Sequence, residues 1–450
     1  MPSWVPFPPS EPSNADSPGH PKLSRRSFVA TILAILPGSA AAAKPKKIRA
    51  HGLAYGPFVN GDDPNNGDQV PLDVLSNQLE LLRPYTNWVR TYGARYGLEK
   101  VGRAGHSLRR KVAVGAWIGR DKTENARELN SAIKMANQGE ADMVIVGSEV
   151  LWRSDASPAE LVRYIAQTKA KVPKGVPVTT AEIDEVLLAH PEVAAACDVI
   201  FMHCHPYLLG IDERIAIGYV HAQFKLVAKT FAPKSVIIGE TGFPSAGRKI
   251  GFAVPSPRNH ALFFRDVVSW GLATGHPYFF FEAFDEPFKR IENPAGPHWG
   301  IFDRHLSLKP GNVSTFRGAL SPDHWTPPIV PGGSGTPFIK LTHVPLMGGL
   351  EAVRGKISHV NIHTHRVLSY IYVPGWGFVT KPYLLSPKTP IGDSKGQFAF
   401  LYATGGNDAL ATQISCFLVP ASYKPPVLER ADSLPPELKS NALASVTVNR

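Results

Sequence analysis

The runs Met143-Val144-Ile145-Val146-Gly147-Ser148-Glu149 and Val236-Ile237-Ile238-Gly239-Glu240 each carry an apolar strand up to a glutamate. A strand buried on both faces ends in a carboxylate only where that end meets something polar. In a barrel of parallel strands, the carboxyl ends open onto the active site. Two such ends, each bearing a Glu, supply the paired carboxylates of glycoside hydrolysis: one protonates the leaving oxygen and the other attacks the anomeric carbon.

The same alternation extends in both directions. Strand-like runs fall at 48–56, 88–93, 111–118, 142–149, 177–182, 198–205, 235–241 and 277–284. Helix-like stretches lie between them, at 72–83, 123–138, 158–171, 185–196, 212–230 and 258–273. Within 123–138, Ala126, Leu129, Ile133 and Ala136 recur at helical spacing, with Thr123 as the expected N-cap and Pro158 suited to the first turn of the next helix. This order predicts an α/β fold, a (β/α)₈ TIM barrel over 44–320, followed by a small all-β domain. A doubly wound sheet would offer a glycine-rich phosphate turn after an early strand, and none is present. By this count Glu149 and Glu240 end strands four and seven, which face each other across a barrel mouth.

Residues 321–337 are rich in Pro, Gly and Ser and read as a linker. Short strand-like runs within 338–420 predict a β-sandwich-like accessory domain, in which Tyr370, Trp376 and Tyr383 would form a sugar-binding strip or a core. Residues 421–450 read as a loose tail. At the other end, Ser24-Arg25-Arg26-Ser27-Phe28, a short apolar run and the small residues before Lys44 read as an export signal over 1–43, resembling the twin-arginine type. The implied location is periplasmic or secreted.

The chain has 450 residues, 43% of them hydrophobic, and a formal charge of +11. Its basic residues are scattered rather than set in a stripe with aromatics, which argues against a nucleic-acid partner. The apolar run at 28–36 is too short for a membrane span. Cys197, Cys204 and Cys416 are too few and odd in number for a disulfide framework. His203 and His205, on one face of a strand, and the histidines from His359 to His365 invite a metal reading. Each place lacks a third ligand at matching spacing, so no metal or other cofactor is expected.

With these segments quoted, the chain resembles family 17 of the glycoside hydrolases, the β-1,3-glucanases and related glucanosyltransferases, over about 48–310. The matching motifs are Trp88-Val-Arg-Thr-Tyr-Gly93, Val112-Ala-Val-Gly-Ala-Trp-Ile118, Val146-Gly-Ser-Glu-Val-Leu151, Ile238-Gly-Glu-Thr-Gly-Phe-Pro-Ser245, Phe281-Glu-Ala-Phe-Asp-Glu-Pro-Phe-Lys289 and His298-Trp-Gly-Ile-Phe302. The resemblance implies a retaining enzyme on β-1,3-glucan polysaccharide or oligosaccharide, with Glu149 as acid/base and Glu240 as nucleophile. Glucanosyl transfer by the same two glutamates, or mere polysaccharide binding, are the alternatives. It also implies a charged group of Glu286, Lys289 and Glu292 beneath the nucleophile. Lys289 would then hold Glu240 ionised, and burial would suit Glu149 to the acid role. Ser148 stands where the family usually has Asn, and would reach a sugar 2-hydroxyl through water. Phe243 stands where Trp is frequent and would pack on a sugar face.

Tyr55, Tyr92, Trp117, Tyr207 and Trp299 are the expected mouth aromatics, because sugar C–H faces stack on rings. Of these, Trp117 suits barrel packing better than Tyr55, Tyr92 or Tyr207. Arg90, ending strand two, is placed to hydrogen-bond a carboxylate in the cleft.

Overall fold

The computed structural model describes residues 48–291 and 294–450. The export signal expected at 1–43, and Glu292, lie outside them. Eight parallel strands close a barrel in sequence order: β1 (Ala50–Ala54), β2 (Thr86–Arg90), β3 (Lys111–Ala116), β4 (Met143–Ser148), β5 (Val178–Ile183), β6 (Ile200–His203), β7 (Val236–Thr241) and β8 (Tyr278–Phe280). β1 closes it by pairing with both β2 and β8. The helices between are α1 (Leu72–Leu82), α2 (Val101–Ser107), α3 (Lys122–Asn137), α4 (Pro158–Lys169), α5 (Asp184–Ala189), α6 (Pro191–Ala196), α7 (Glu213–Thr230) and α8 (Pro257–Thr274), with α9 (Pro310–Phe316) after the barrel closes.

Local chemistry sets the helix ends. Asp121, rather than Thr123, caps α3 by accepting from the Thr123 and Glu124 amides, because its carboxylate reaches both orphan donors. Ser157 and Glu160 form a capping box on α4, with Pro158 in the first turn. The single helix expected over 185–196 is broken at His190. Pro191 bars its predecessor from helical geometry and then starts a new helix.

Inside the barrel, Ala113, Met143, Ile145, Ala181, Phe201 and Phe279 form one apolar plug. Gly239 makes room for it, since a Cβ there would lie 2.3 Å from the Phe201 ring. That plug is the floor on which the polar residues at the strand ends stand.

Past the barrel, residues 321–337 hold no helix or strand, yet they are fastened: the Ser321 amide donates to Ser269 Oγ at 2.9 Å and the His359 amide to the Pro331 carbonyl at 2.8 Å. The rest forms two antiparallel sheets. One orders β9 (Phe338–His343), β10 (Val353–Ser358) and β14 (Gln397–Phe400) as β14-β10-β9. The other runs β12-β11-β15-β16, from β11 (His365–Val373), β12 (Gly377–Lys381), β15 (Gln413–Pro420) and β16 (Ala444–Asn449), with β13 (Lys388–Thr389) beside β11. The loose tail expected at 421–450 is therefore corrected. β16 pairs with β15 from Ala444 to Asn449, because β15 would otherwise leave its amides and carbonyls unpaired along one edge. Tyr370 is fully buried with its hydroxyl on the Pro426 carbonyl, which removes it from the expected aromatic strip; Trp376 and Tyr383 are exposed. No helix among the described residues is long and apolar enough to cross a membrane.

The sheets dock on the barrel through buried polar contacts. Arg366, 1% exposed, donates to Gln223 Oε1 on α7 at 2.5 Å and lies over the Tyr219 ring; Gln223 in turn bonds Asp184 on α5. Arg366→Ala strips these groups of their partner. It is expected to cost about 3 kcal/mol of stability, read as a lowered thermal midpoint.

Candidate active site

β4 reaches the mouth through a turn that aims its last side chain. Gly147 has φ +80°, and a Cβ there would lie 2.3 Å from Val150. Two residues on, Glu149 has φ +54°, a left-handed conformation that non-glycine residues adopt at a cost and that clusters at functional sites. The Glu149 amide donates to the Ala181 carbonyl at 2.7 Å, and the Arg153 guanidinium bonds the Ser148 carbonyl. Glu149 is held this way with its side chain 21% exposed, so the full burial expected of an acid is absent.

Glu240 lies opposite on β7, 6% exposed. Arg90, ending β2, pairs with Glu240 Oε1 through Nη1 and donates to Ser148 Oγ through Nη2 at 3.0 Å. His205 Nε2 meets Glu240 Oε2 at 3.0 Å. His203, at the end of β6, stands between the two carboxylates, with Nδ1 2.9 Å from Glu149 Oε1 and Nε2 3.3 Å from Glu240 Oε1. One ligand-type atom from each of Glu149, His203 and Glu240 lies within 4.8 Å of the other two. Such a trio has the spacing of a cation site, but Arg90 already places a positive charge on Glu240 Oε1. A carboxyl separation near 5 Å is the one associated with retaining glycosidases.

Burial alone would push the Glu240 carboxyl up. The charges of His203 and Arg90 and the His205 hydrogen bond outweigh it and hold the group well below the usual carboxylate range. Tyr92, half-buried, lies under the Arg90 guanidinium at 4.4 Å; burial and the Glu240 charge keep its phenol protonated.

Several expected roles change. The partners described for Lys289 are Glu282 and Glu286, the latter at 2.7 Å, while Arg90 and the His203 and His205 rings are the groups described against Glu240. Lys289 follows β8 on a 3-10 turn that turns it toward its own segment's carboxylates. Burial pushes Glu282 well up despite Lys289. Tyr55 and Tyr207 are buried, their hydroxyls bonded to Gln78 Oε1 at 2.8 Å and the Arg248 carbonyl at 2.6 Å. Phe243 is fully buried against Tyr207 and Phe263. Each points into packing between layers and offers no face to the cleft. Trp299, 4% exposed, stands edge-on to His205 and Phe281 and so braces the histidine. Trp117 reverses expectation: β3 ends at Ala116, and the ring beyond is 43% exposed with Arg153 over it at 4.2 Å. Ser148 accepts from Arg90, a contact within the protein rather than one awaiting a sugar.

The sequence reading weighed His203 and His205 only as metal ligands and passed over Glu182, although the rule of polar groups at strand ends contains all three. His203 and His205 end strand six as the glutamates end four and seven. Glu182 ends strand five, fully buried, accepting from the Leu151 amide at 2.7 Å. Burial, with Glu149 nearby, pushes its carboxyl up to about 8.

An eight-stranded parallel barrel with two carboxylates facing across its carboxyl rim has the construction of a barrel glycosidase. Residues 52–300 match the BtgE/BtgC glycoside hydrolase domain, and the chain belongs to that family. The probable glucan endo-1,3-beta-glucosidase btgC of Aspergillus terreus is 28% identical over 288 residues, covering 54% of this chain and 43% of that protein. The chain thus spans less than half the length of this curated relative. A family 17 β-1,3-glucanosyltransferase from Rhizomucor miehei superposes with a TM-score of 0.52 at 29% identity, over 58% of this chain and 96% of that one. An active-site mutant of that enzyme in complex with laminaritriose superposes at 0.51, with the same identity and coverage.

Proposed function

We propose that this protein hydrolyses β-1,3-glucan with retention of configuration, through a glycosyl ester on Glu240. The observation that carries this reading is the facing pair: ionised Glu240 on β7 and the partly exposed Glu149 at the end of β4, with ligand atoms within 4.8 Å. In the first step Glu149 gives its proton to the glycosidic oxygen. The bond from that oxygen to the anomeric carbon breaks with its electron pair going to oxygen, while a Glu240 oxygen bonds the carbon. In the second step water gives a proton to Glu149 and attacks the same carbon, and the ester bond breaks back to the Glu240 carboxylate. The btgC relative, named for action on glucan 1,3-β-linkages, supports the substrate class. Export is supported by the Arg25-Arg26 signal, in the manner of bacterial twin-arginine substrates. The β sheets after the barrel would then serve as an accessory module.

Transfer to a second sugar is favoured by one observation, the match across nearly the whole Rhizomucor miehei glucanosyltransferase. Incubation with a single laminari-oligosaccharide and sizing of the products separates the two. Only shorter products are expected; products longer than the substrate would replace hydrolysis by transfer, and no change in size would refute both.

Trp117 is the exposed aromatic at the rim. Trp117→Ala is expected to raise KM for laminari-oligosaccharides about three- to tenfold, with a smaller change in kcat, as loss of one stacking contact predicts.

A further inference from the structure

Glu182, the last residue but one of β5, is fully buried, and neither chemical step above uses it. Its neighbour Ala181 belongs to the plug inside the barrel, so by strand alternation Glu182 points to the other face of the sheet, away from the cleft. There it meets the turn that carries Glu149. Ala181 pairs with Ser148 across the sheet, and its carbonyl accepts from the Glu149 amide at 2.7 Å. Glu182 Oε1 accepts from the Leu151 amide, also at 2.7 Å. The end of β5 thus grips the turn on both sides of the Glu149 side chain, once by main chain and once by side chain. Two further bonds past Glu149 run from the Arg153 amide to the Glu149 carbonyl at 2.9 Å and from the Asp155 amide to the Val150 carbonyl at 3.0 Å. Both lie within the turn and would move with it.

Glu149 has φ +54°, and backbone strained in this way persists only where its surroundings over-determine it. Resting on the glycosidase reading above, we propose that Glu182 is a positioning residue for the acid/base: by accepting from the Leu151 amide, its carboxyl locks the turn that aims Glu149 across the mouth at Glu240. Walled off from the cleft, Glu182 touches no substrate and acts only through that turn. Burial pushes its carboxyl up to about 8, against the pull of the Leu151 and Trp152 amides and of Arg153, and the charge of Glu149 adds to the rise. Near neutral pH the clamp therefore carries a proton, and a neutral carboxyl still offers an oxygen to an amide N–H. The turn is held without a second negative charge being set beside Glu149.

The test compares two substrates in the first chemical step, read as kcat/KM. Cleavage of laminaritetraose expels a sugar hydroxyl and needs the acid. A dinitrophenyl β-laminaribioside expels a phenolate that departs without a proton. Glu182→Leu and Glu182→Met remove the acceptor and should lower kcat/KM for laminaritetraose about 10- to 100-fold, the loss that a displacement of about 1 Å at a reacting group brings. For the dinitrophenyl glycoside the loss should stay below about threefold. Glu182→Gln keeps a neutral oxygen for the Leu151 amide and should remain within about fivefold of the wild type on both substrates. The ratio of the two values cancels the fraction of protein that is folded, so a poorly folding variant still reports, and a merely structural role would lower both values together. Equal losses on both substrates, no loss on either, or a Glu182→Gln as impaired as Glu182→Leu overturns the proposal. Glu149→Gln is run alongside. If it spares the dinitrophenyl glycoside no more than laminaritetraose, the glycosidase reading itself fails; if it does spare it and the Glu182 variants do not, only the role of Glu182 falls.

Discussion

Glu240→Ala is expected to lower kcat/KM on laminari-oligosaccharides by about 10⁴-fold or more, the loss typical when a nucleophile that acts as one unit with its partners is removed. The group is poised for that role by its surroundings. It is nearly buried, which opposes ionisation, yet His203, Arg90 and His205 face it and keep it charged. Among the described residues, the carboxylates of the neighbouring segments are engaged elsewhere. Glu282 and Glu286 are paired with Lys289, and Glu182 is turned to the Leu151 amide. Alanine also leaves Arg90 buried without its anion, so a fall in stability should accompany the loss of activity. Glu240→Gln keeps the volume and removes the charge, and it should be as inactive while folding more normally. Steady-state rates with active-site titration decide it. Near-wild-type turnover on every tested β-glucan would end the assignment.

Arg90→Ala is the second large effect. Arg90 is 1% exposed at its side chain and ties β2 to β7 and β4 through Glu240, the Gly239 carbonyl and Ser148 Oγ. Its removal leaves burial less opposed at Glu240, so the carboxyl should take up a proton at higher pH than in the wild type. The acidic limb of the kcat/KM profile should move upward, with a loss of about 10²-fold at the wild-type optimum. The stability consequence follows by linkage. A carboxyl held below its unfolded value of about 4.3 stabilises the fold above that pH, and the contribution disappears as pH falls through the folded value. Arg90→Ala should therefore bring acid unfolding to a higher pH. An unchanged acidic limb would show that Arg90 does not govern the charge of Glu240.

Strand ends four and seven were readable because a carboxylate at the end of an apolar run breaks the pattern visibly. Glu182 and the His203–His205 pair broke it too, but histidine and a lone buried acid have more ordinary uses, and nothing local separates those uses. Pro191 in the middle of a helical stripe was a breaker in plain view. The last strand was harder to see. Ala444–Asn449 alternates weakly and acquires its pairing only from β15, whose open edge is not written in residues 421–450.

By itself the sequence determined the barrel and the facing glutamates, since strand order and local period are properties of neighbours along the chain. Which cation meets Glu240, and which rings meet solvent, was decided by tertiary structure alone. Arg90, His203 and His205 arrive from β2 and the end of β6. Lys289, nearer to β8, turns to Glu282 and Glu286. Tyr55 and Trp117 both follow strands, yet one is buried against α1 and the other lies open at the rim. The direction of a side chain at a strand end depends on where the strand stops and on the register of its neighbours. Closure of the whole barrel sets that register, and no single stretch of the chain does.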